Sequence, residues 1–369
     1  MIRSFLQKLL RKPVITMSNR YSSRPDKERV ERALSDLYKN ISTKPGNKGL
    51  SIEIGVEDKI VVLSDQHKGV RDFSDDFAFA EKNYLAALSY YNTENYLYVN
   101  LGDSEELWEN LLEPVIKFNK NTFEAEKAFL KRNAFVKIFG NHDLYWDNDP
   151  LAGFNLTRIY DSKLKIYEGL VLKACVKGQQ LKFFLTHGHQ GDLQSDGNWF
   201  SKWFISTIWA PLQAFLIINP NTPAFNDQLK SAHNKMMYEW SAKQRNLILI
   251  TGHTHQPVFA SLTNLERIYR KLGIAQKTTN QGEISKLEGE LKIRIQKGDI
   301  SPDFTSYKPN YFNTGCCCFD DGDITGIEIA NGNIRLIKWE YNKERISERI
   351  VLEETSLETL LEQDIISVI

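Results

Sequence analysis

The sequence predicts an α/β fold whose chemistry gathers along one edge of a sheet. Three observations carry that expectation. Short apolar runs rich in β-branched and aromatic residues alternate with stretches of helical periodicity. Five of those runs stop at a short polar motif, and the motifs together hold six of the seven histidines. In α/β folds ligands collect beyond the carboxyl ends of the strands, which is where each motif stands.

Segment 1–50 reads as a helical arm and linker. In "MIRSFLQKLLRKPVI" the apolar Ile2, Phe5, Leu6, Leu9 and Leu10 keep helical spacing, while Gln7 and Lys8 break any secretory apolar core. That spacing fits a weak membrane-surface helix, a helix docked on the domain or a frayed tail. "RPDKERVERALSDLYKNI" reads as a second helix with Pro25 near its first turn, and "TKPGNKG" as the linker.

The main domain is expected over 51–345. "DKIVVLS" leads into Asp65-Gln66-His67, and "NYLYVNL" into Gly102-Asp103. "AFVKIF" leads into Gly140-Asn141-His142-Asp143, "LKFFLT" into His187-Gly188-His189, and "NLILIT" into Gly252-His253-Thr254-His255. Between the early runs, "DDFAFAEKNYLAALSYYN" and "NTFEAEKAFLKRN" have the length and period of helices.

Two insertions interrupt the alternation. The first, 198–245, opens with "NWFSKWFISTIWAPLQAFLIINP", which holds three of the seven tryptophans. Ser201, Lys202, Ser206, Thr207 and Gln213 interrupt that run and argue against a transmembrane span. The second, 262–300, reads as a charged helical hairpin standing in solvent. "FNTGCCCFDDGDITGIEIANGNIRLIKWEYN" then reads as strands joined by Asp-Gly and Asn-Gly turns. Residues 346–369 read as an acidic tail ending in a short amphipathic helix.

Composition narrows the function classes. With 369 residues, 41% hydrophobic and 25% charged, the chain can bury a sizeable core. Lys plus Arg equals Asp plus Glu at 47 each, so no overall field favours nucleic acid. Cys175 and the adjacent Cys316, Cys317 and Cys318 cannot form a spaced disulfide framework, which points to a reducing, cytoplasmic setting. The triplet falls in a predicted strand and is expected to pack.

Asp, Asn and His together form a mixed oxygen and imidazole set suited to Mn, Fe, Zn or Co. A single zinc takes about three protein ligands plus water. Seven or more converging ligands instead fit two ions roughly 3.5–4 Å apart, a geometry used in phosphoryl transfer. Singly, each motif has a plainer reading: the Gly-His-Thr-His stretch as a loop, Asp65-Gln66-His67 as a helix cap.

In order, Asp65-x-His67, Gly102-Asp103, Gly140-Asn141-His142-Asp143, His187-Gly188-His189 and Gly252-His253-x-His255 resemble the calcineurin-like metallophosphoesterases. With the later "NTG" at 313–315 the resemblance runs from about residue 52 to 342. It implies two packed mixed β-sheets flanked by helices, here with helical insertions and an N-terminal helical arm. It also implies two divalent ions, Mn first and Fe, Zn or Co as alternatives. Asp65, His67 and His255 would hold the first ion, Asn141, His187 and His253 the second, and Asp103 would bridge them. His142 would contact the phosphate and protonate the leaving oxygen, with Asp143 orienting its ring. The nucleophile implied is a metal-bound hydroxide attacking phosphorus in line. His189 stays open between a partner of a ligand, a substrate contact and a structural residue, and His233 is expected to be a surface or packing histidine.

The residues just after Asp103 point to the substrate. "GDSEELWEN" has no arginine where the protein Ser/Thr phosphatase branch carries one, so its phosphate-gripping guanidinium is missing. Gly102-Asp103-x-x-Glu106-x-Trp108 is instead similar to the UDP-diacylglucosamine pyrophosphohydrolases, which carry a helical insertion where 198–218 stands. That resemblance implies a phosphorylated small-molecule or lipid-linked substrate, with a UDP-lipid-type pyrophosphate first. The aromatic residues of 198–218, Trp199, Phe200, Trp203 and Phe204 among them, fit a lid that lines an apolar pocket, a surface resting on the inner face of a membrane, which the N-terminal arm also fits, or a helix buried against the domain. A small-molecule phosphomonoesterase or diesterase, a nuclease, a protein phosphatase and a non-catalytic scaffold rank behind. The full ligand set argues against the scaffold, and balanced charge against the nuclease. The oligomeric state is not readable from the sequence.

Overall fold

Alternation along the central strands places apolar residues on both faces, and both faces are covered. In β2 (Ile60–Leu63), Ile60 and Val62 point into the layer between two sheets, while Val61 and Leu63 point under helices. The structure is a computed structural model that describes residues 26–72, 75–191, 227–277, 279–296 and 308–366. The arm at 1–25 and the aromatic stretch 198–218 lie outside the described residues.

Two mixed sheets of seven strands each stack face to face. One runs β14 (Ser347–Ser356), β13 (Asn333–Tyr341), β12 (Ile324–Ala330), β2, β3 (Leu97–Leu101), β4 (Phe135–Ile138), β5 (Ile166–Tyr167). Its β2 to β5 are mutually parallel, and β12 to β14 are added antiparallel. The other runs β1 (Gly49–Ile54), β6 (Gly169–Val176), β7 (Gln179–Thr186), β8 (Leu247–Thr251), β11 (Tyr311–Asn313), β9 (Val258–Phe259), β10 (Leu262–Thr263). Val99, Leu101 and Ile138 of the first sheet meet Leu172, Phe183, Leu185 and Ile250 of the second in the central core.

Helices close both outer faces. Tyr84 and Leu88 of α2 (Glu81–Thr93) and Phe129 of α4 (Lys120–Lys131) cover the first sheet; the short α3 (Leu112–Phe118) precedes α4. Over the second sheet lie α1 (Lys27–Thr43) and α7 (Asp227–Ala242). Helix α1 starts where the Asp26 carboxylate accepts the Arg29 amide at 3.0 Å, and Val30, Leu34, Leu37 and Ile41 form its buried stripe. From residue 26 onward, then, the stretch expected as an arm is part of the domain, because that stripe packs on Val171 and Phe184.

Two other expectations shift for similar reasons. The tail from 346 contains β14, paired along β13, and α10 (Leu357–Ile366), whose Leu357, Leu360 and Leu361 enter the central core. The charged hairpin, α8 (Asn264–Lys277) and α9 (Gln281–Gln296), closes on Ile268, Leu272, Ala275 and Leu287. It is tied to β14 by Lys271–Glu353 at 2.6 Å and Arg267–Glu353 at 3.5 Å.

The five motifs stand at the carboxyl ends of β2, β3, β4, β7 and β8, so the loops of both sheets meet at one end of the sandwich. Backbone bonds extend the parallel pairing into those loops. The Asp65 amide donates to Gly102 O at 3.0 Å, His67 to Asp103 O at 2.9 Å, and Gly252 to His187 O at 2.9 Å.

Candidate metal centre

Asp65, His67, Asp103, His253 and His255, five of the seven expected ligands, adopt positive φ between 49° and 70°. That region is sparsely used by non-glycine residues, and holding a residue there costs of order 1–3 kcal/mol. The surrounding bonds keep them in place. The His142 amide donates to Asp103 Oδ1 at 2.8 Å, and the His253 amide is 3.1 Å from both oxygens of Asp65. Gly140 has no side chain for a reason: a Cβ there would lie 2.2 Å from Asp103 Oδ1 and 2.6 Å from the Asp103 amide.

The donor atoms converge. His187 Nε2 is 3.0 Å from Asp103 Oδ2 and 4.0 Å from Asp65 Oδ1. His255 Nε2 is 3.3 Å from Asp65 Oδ1 and 3.1 Å from His67 Nε2, which in turn is 3.8 Å from Asp103 Oδ2. Asp103 belongs to two buried donor sets, one with His67 and His142 and one with His187 and His253. Among the described residues, Asn141 Oδ1 and His187 Nε2 are buried with no hydrogen-bond partner, although Asp103 Oδ2 is 3.0 Å from the latter. Converging carboxylate, amide and imidazole donors are the arrangement a divalent cation satisfies, and oxygen with imidazole is a donor set such ions accept.

Two of the expected ligand rings are braced at the second nitrogen. His187 Nδ1 bonds Leu101 O at 2.9 Å, and His67 Nδ1 bonds Glu106 Oε2 at 2.9 Å. The same Glu106 oxygen is 2.7 Å from His142 Nδ1, and the Trp108 ring stacks on His142 at 4.4 Å. Asp143, expected to orient His142, is engaged elsewhere: it accepts the Gly140 amide at 2.6 Å and the Ser104 amide at 2.9 Å, fixing two loops instead. The carboxylate three residues after Asp103 reaches His142, whereas the one beside His142 in sequence joins its own turn to the β3 loop.

The electrostatics come from burial and charge. His67 is pushed up to about 10, because burial, which disfavours the charged ring, is outweighed by Glu106, Asp103 and Asp65. His187 rises to about 9 in the same way, with Asp103 and Asp65 overcoming burial. His142 is also raised, by Glu106 and Asp103 against burial. Burial pushes His253 and His255 down, which favours the neutral form of each ring that can ligate a metal. Asp103 lies well below the usual carboxylate range, since His187 and His142 outweigh its burial. The negative field that raises His67 and His187 equally favours a divalent ion, which would displace their protons.

Among the remaining described histidines and cysteines, Cys318 joins a further donor group with His67 and His255. His189 is buried, with Nδ1 unpartnered among the described residues and its ring 5.4 Å from that of His187, but it joins neither Asp103 donor set. His233 is buried rather than at the surface; its Nε2 is 2.8 Å from Gly188 O and its ring 5.1 Å from that of His253. The three adjacent cysteines are buried and unbridged, and Cys318 Sγ lies 3.9 Å from His255 Nδ1. Sequence reasoning used Glu106 and Trp108 only as a pattern; their contacts with His142 depend on how the β3 and β4 loops meet.

The profile of the family described as Calcineurin-like phosphoesterase matches residues 58–257, more than half of the chain. Among solved structures, vacuolar protein sorting 29 from Cryptosporidium parvum matches at 12% identity and a TM-score of 0.32, over 81% of this chain and 98% of that one. A Staphylococcus aureus protein described as a putative 5'-nucleotidase, in complex with alpha-ketoglutarate, matches at 12% identity and a TM-score of 0.32. That match covers 84% of this chain and 58% of the other, less than two thirds of its length. No curated protein sequence matches the chain.

Proposed function

The chain belongs to the calcineurin-like phosphoesterase family, and on that premise we propose that it hydrolyses a phosphate ester or phosphoanhydride with a pair of divalent ions, Mn first. Metal-dependent phosphoester hydrolysis is the family's chemistry; the pairing of ions, the metal and the substrate are the proposal. The observation that supports it is Asp103, buried and shared between the two donor sets. Asp65, His67 and His255 would hold one ion and Asn141, His187 and His253 the other, with Asp103 between them. When bound, the pair would supply Lewis acidity at phosphorus and a nucleophile near neutral pH for in-line displacement.

The chain's own residues then carry the proton. Glu106 engages His142 at Nδ1, which leaves Nε2 to hand a proton to the leaving oxygen. Trp108 covers one face of that ring and limits its rotation. Burial of the donors keeps bulk water from screening these charges.

The similarity of Gly102-Asp103-x-x-Glu106-x-Trp108 puts a UDP-lipid-type pyrophosphate first among substrates, ahead of small mono- and diesters. Membrane-surface contact through 198–218 or the N-terminal arm belongs to the same proposal, as does a cytoplasmic location. No helix among the described residues is long and apolar enough to cross a membrane. The test is hydrolysis by Mn-loaded protein of p-nitrophenyl phosphate, its bis-ester and a UDP-linked lipid, side by side. Preference for the lipid pyrophosphate supports the whole reading. Turnover of the small esters alone removes the lipid, and no turnover with metal bound removes the enzyme.

A further inference from the structure

Beneath the metal centre lies a second cluster of charges. Lys68, Glu105, Glu126 and Lys137 are wholly buried, two cations against two anions. Glu105 Oε1 accepts from Lys137 Nζ at 2.9 Å, Lys68 Nζ at 3.3 Å and Ser104 Oγ at 2.9 Å, and its Oε2 accepts from Trp146 Nε1 at 2.8 Å. Glu126 accepts from Lys68 Nζ at 2.6 Å, Tyr84 OH at 3.0 Å and Tyr160 OH at 2.5 Å.

Such a cluster is a poor way to gain stability. Desolvating each charge is costly, and well-packed apolar residues of equal volume often do as well or better. What apolar packing cannot supply is a set of directional bonds between fixed points. Here those points are the loops that bear the metal donors. Lys68 follows His67, and Glu105 stands between Asp103 and Glu106. Lys137 precedes Asn141 on β4, and Trp146 follows His142 on the short helix α5 (Tyr145–Asn148). The backbone adds to this tie: Lys68 N donates to Ser104 O at 3.0 Å and Glu106 N to Lys68 O at 3.1 Å.

We propose that Glu105 is a positioning residue whose carboxylate sets the spacing of the β2, β3 and β4 loops and so the geometry of the donors above it. The inference rests on the metal-centre reading, so metal binding by the wild-type chain is measured first; its absence would overturn that reading and this inference with it, whereas a fault in this inference alone shows only in the variants. Glu105→Gln keeps the volume and removes the charge. It is expected to weaken Mn binding by about 10–100-fold in calorimetric titration. On p-nitrophenyl phosphate kcat should fall while KM stays near that of wild type. Glu105→Gln/Lys137→Met restores equal numbers of buried charges. It is expected to recover the thermal midpoint of the apo protein and not the Mn affinity. A folded Glu105→Gln protein with wild-type Mn affinity would overturn the proposal, as would a double variant that recovers affinity together with the midpoint. Should Glu105→Gln fail to fold, Trp146→Phe removes the bond to Oε2 without touching a charge and should still weaken Mn binding; wild-type affinity there would also overturn the proposal.

Discussion

Replacing Glu106 by glutamine probes the link between the metal centre and the proton donor. One oxygen of Glu106 serves two imidazoles, His142 Nδ1 at 2.7 Å and His67 Nδ1 at 2.9 Å. A hydrogen bond to a charged group contributes about 1.5–3 kcal/mol, so the two together amount to about 3–6 kcal/mol. At about 1.4 kcal/mol per tenfold, that is a loss of roughly 10²–10⁴ in kcat/KM if both bonds matter fully in the transition state. The sign of the pH effect is also fixed. The Glu106 charge raises His142, and the protonated ring is the acid, so activity falls as pH rises through its pKa. Glu106→Gln removes that support, so the alkaline limb should move to lower pH. The assay is steady-state hydrolysis of p-nitrophenyl phosphate by Mn-saturated protein across pH, with metal content checked at each point. A variant that keeps near-wild-type kcat/KM and an unmoved alkaline limb would refute the reasoning.

Two further outcomes are expected from the same geometry. His67 and His187 sit at about 10 and about 9, so around neutral pH an ion must displace two protons, and Mn affinity should weaken up to about 100-fold per pH unit lowered. Titrating Mn at several pH values reads this directly, and a flat dependence would show that those rings are not ligands. Gly140→Ala would drive a Cβ to 2.2 Å from Asp103 Oδ1, so the Asp103 loop must shift. Overpacking of this kind costs about 1–3 kcal/mol, and a lowered thermal midpoint together with lost metal is the expected result.

Much of the fold is legible in the sequence because its strands are apolar runs ending abruptly at Gly, Asp, Asn or His. The candidate ligands are legible for the same reason, since six of the seven histidines stand in polar motifs directly after such runs. The left-handed backbone at Asp65, His67 and His255 is not, because it comes from how neighbouring loops bond. Lys68 and Lys137 read as ordinary polar residues, and only the meeting of three loops with helix α4 gives them buried partners in Glu105 and Glu126. β14 reads as a tail because "SERIVLEETS" is an edge strand, half exposed, with little apolar content to betray it. Asp143 stands nearer His142 in sequence than Glu106 does, and distance along the chain is a poor guide across a parallel sheet.

The proposed activity turns on Asp103 being shared by two ions. Elemental analysis of metal per chain, for wild type and Asp103→Asn dialysed together against Mn, decides whether it is. The expected result is two ions in the wild type, and loss of metal together with p-nitrophenyl phosphate hydrolysis in the variant. A single ion in the wild type, or a variant that keeps the full metal content and full rate, would contradict it.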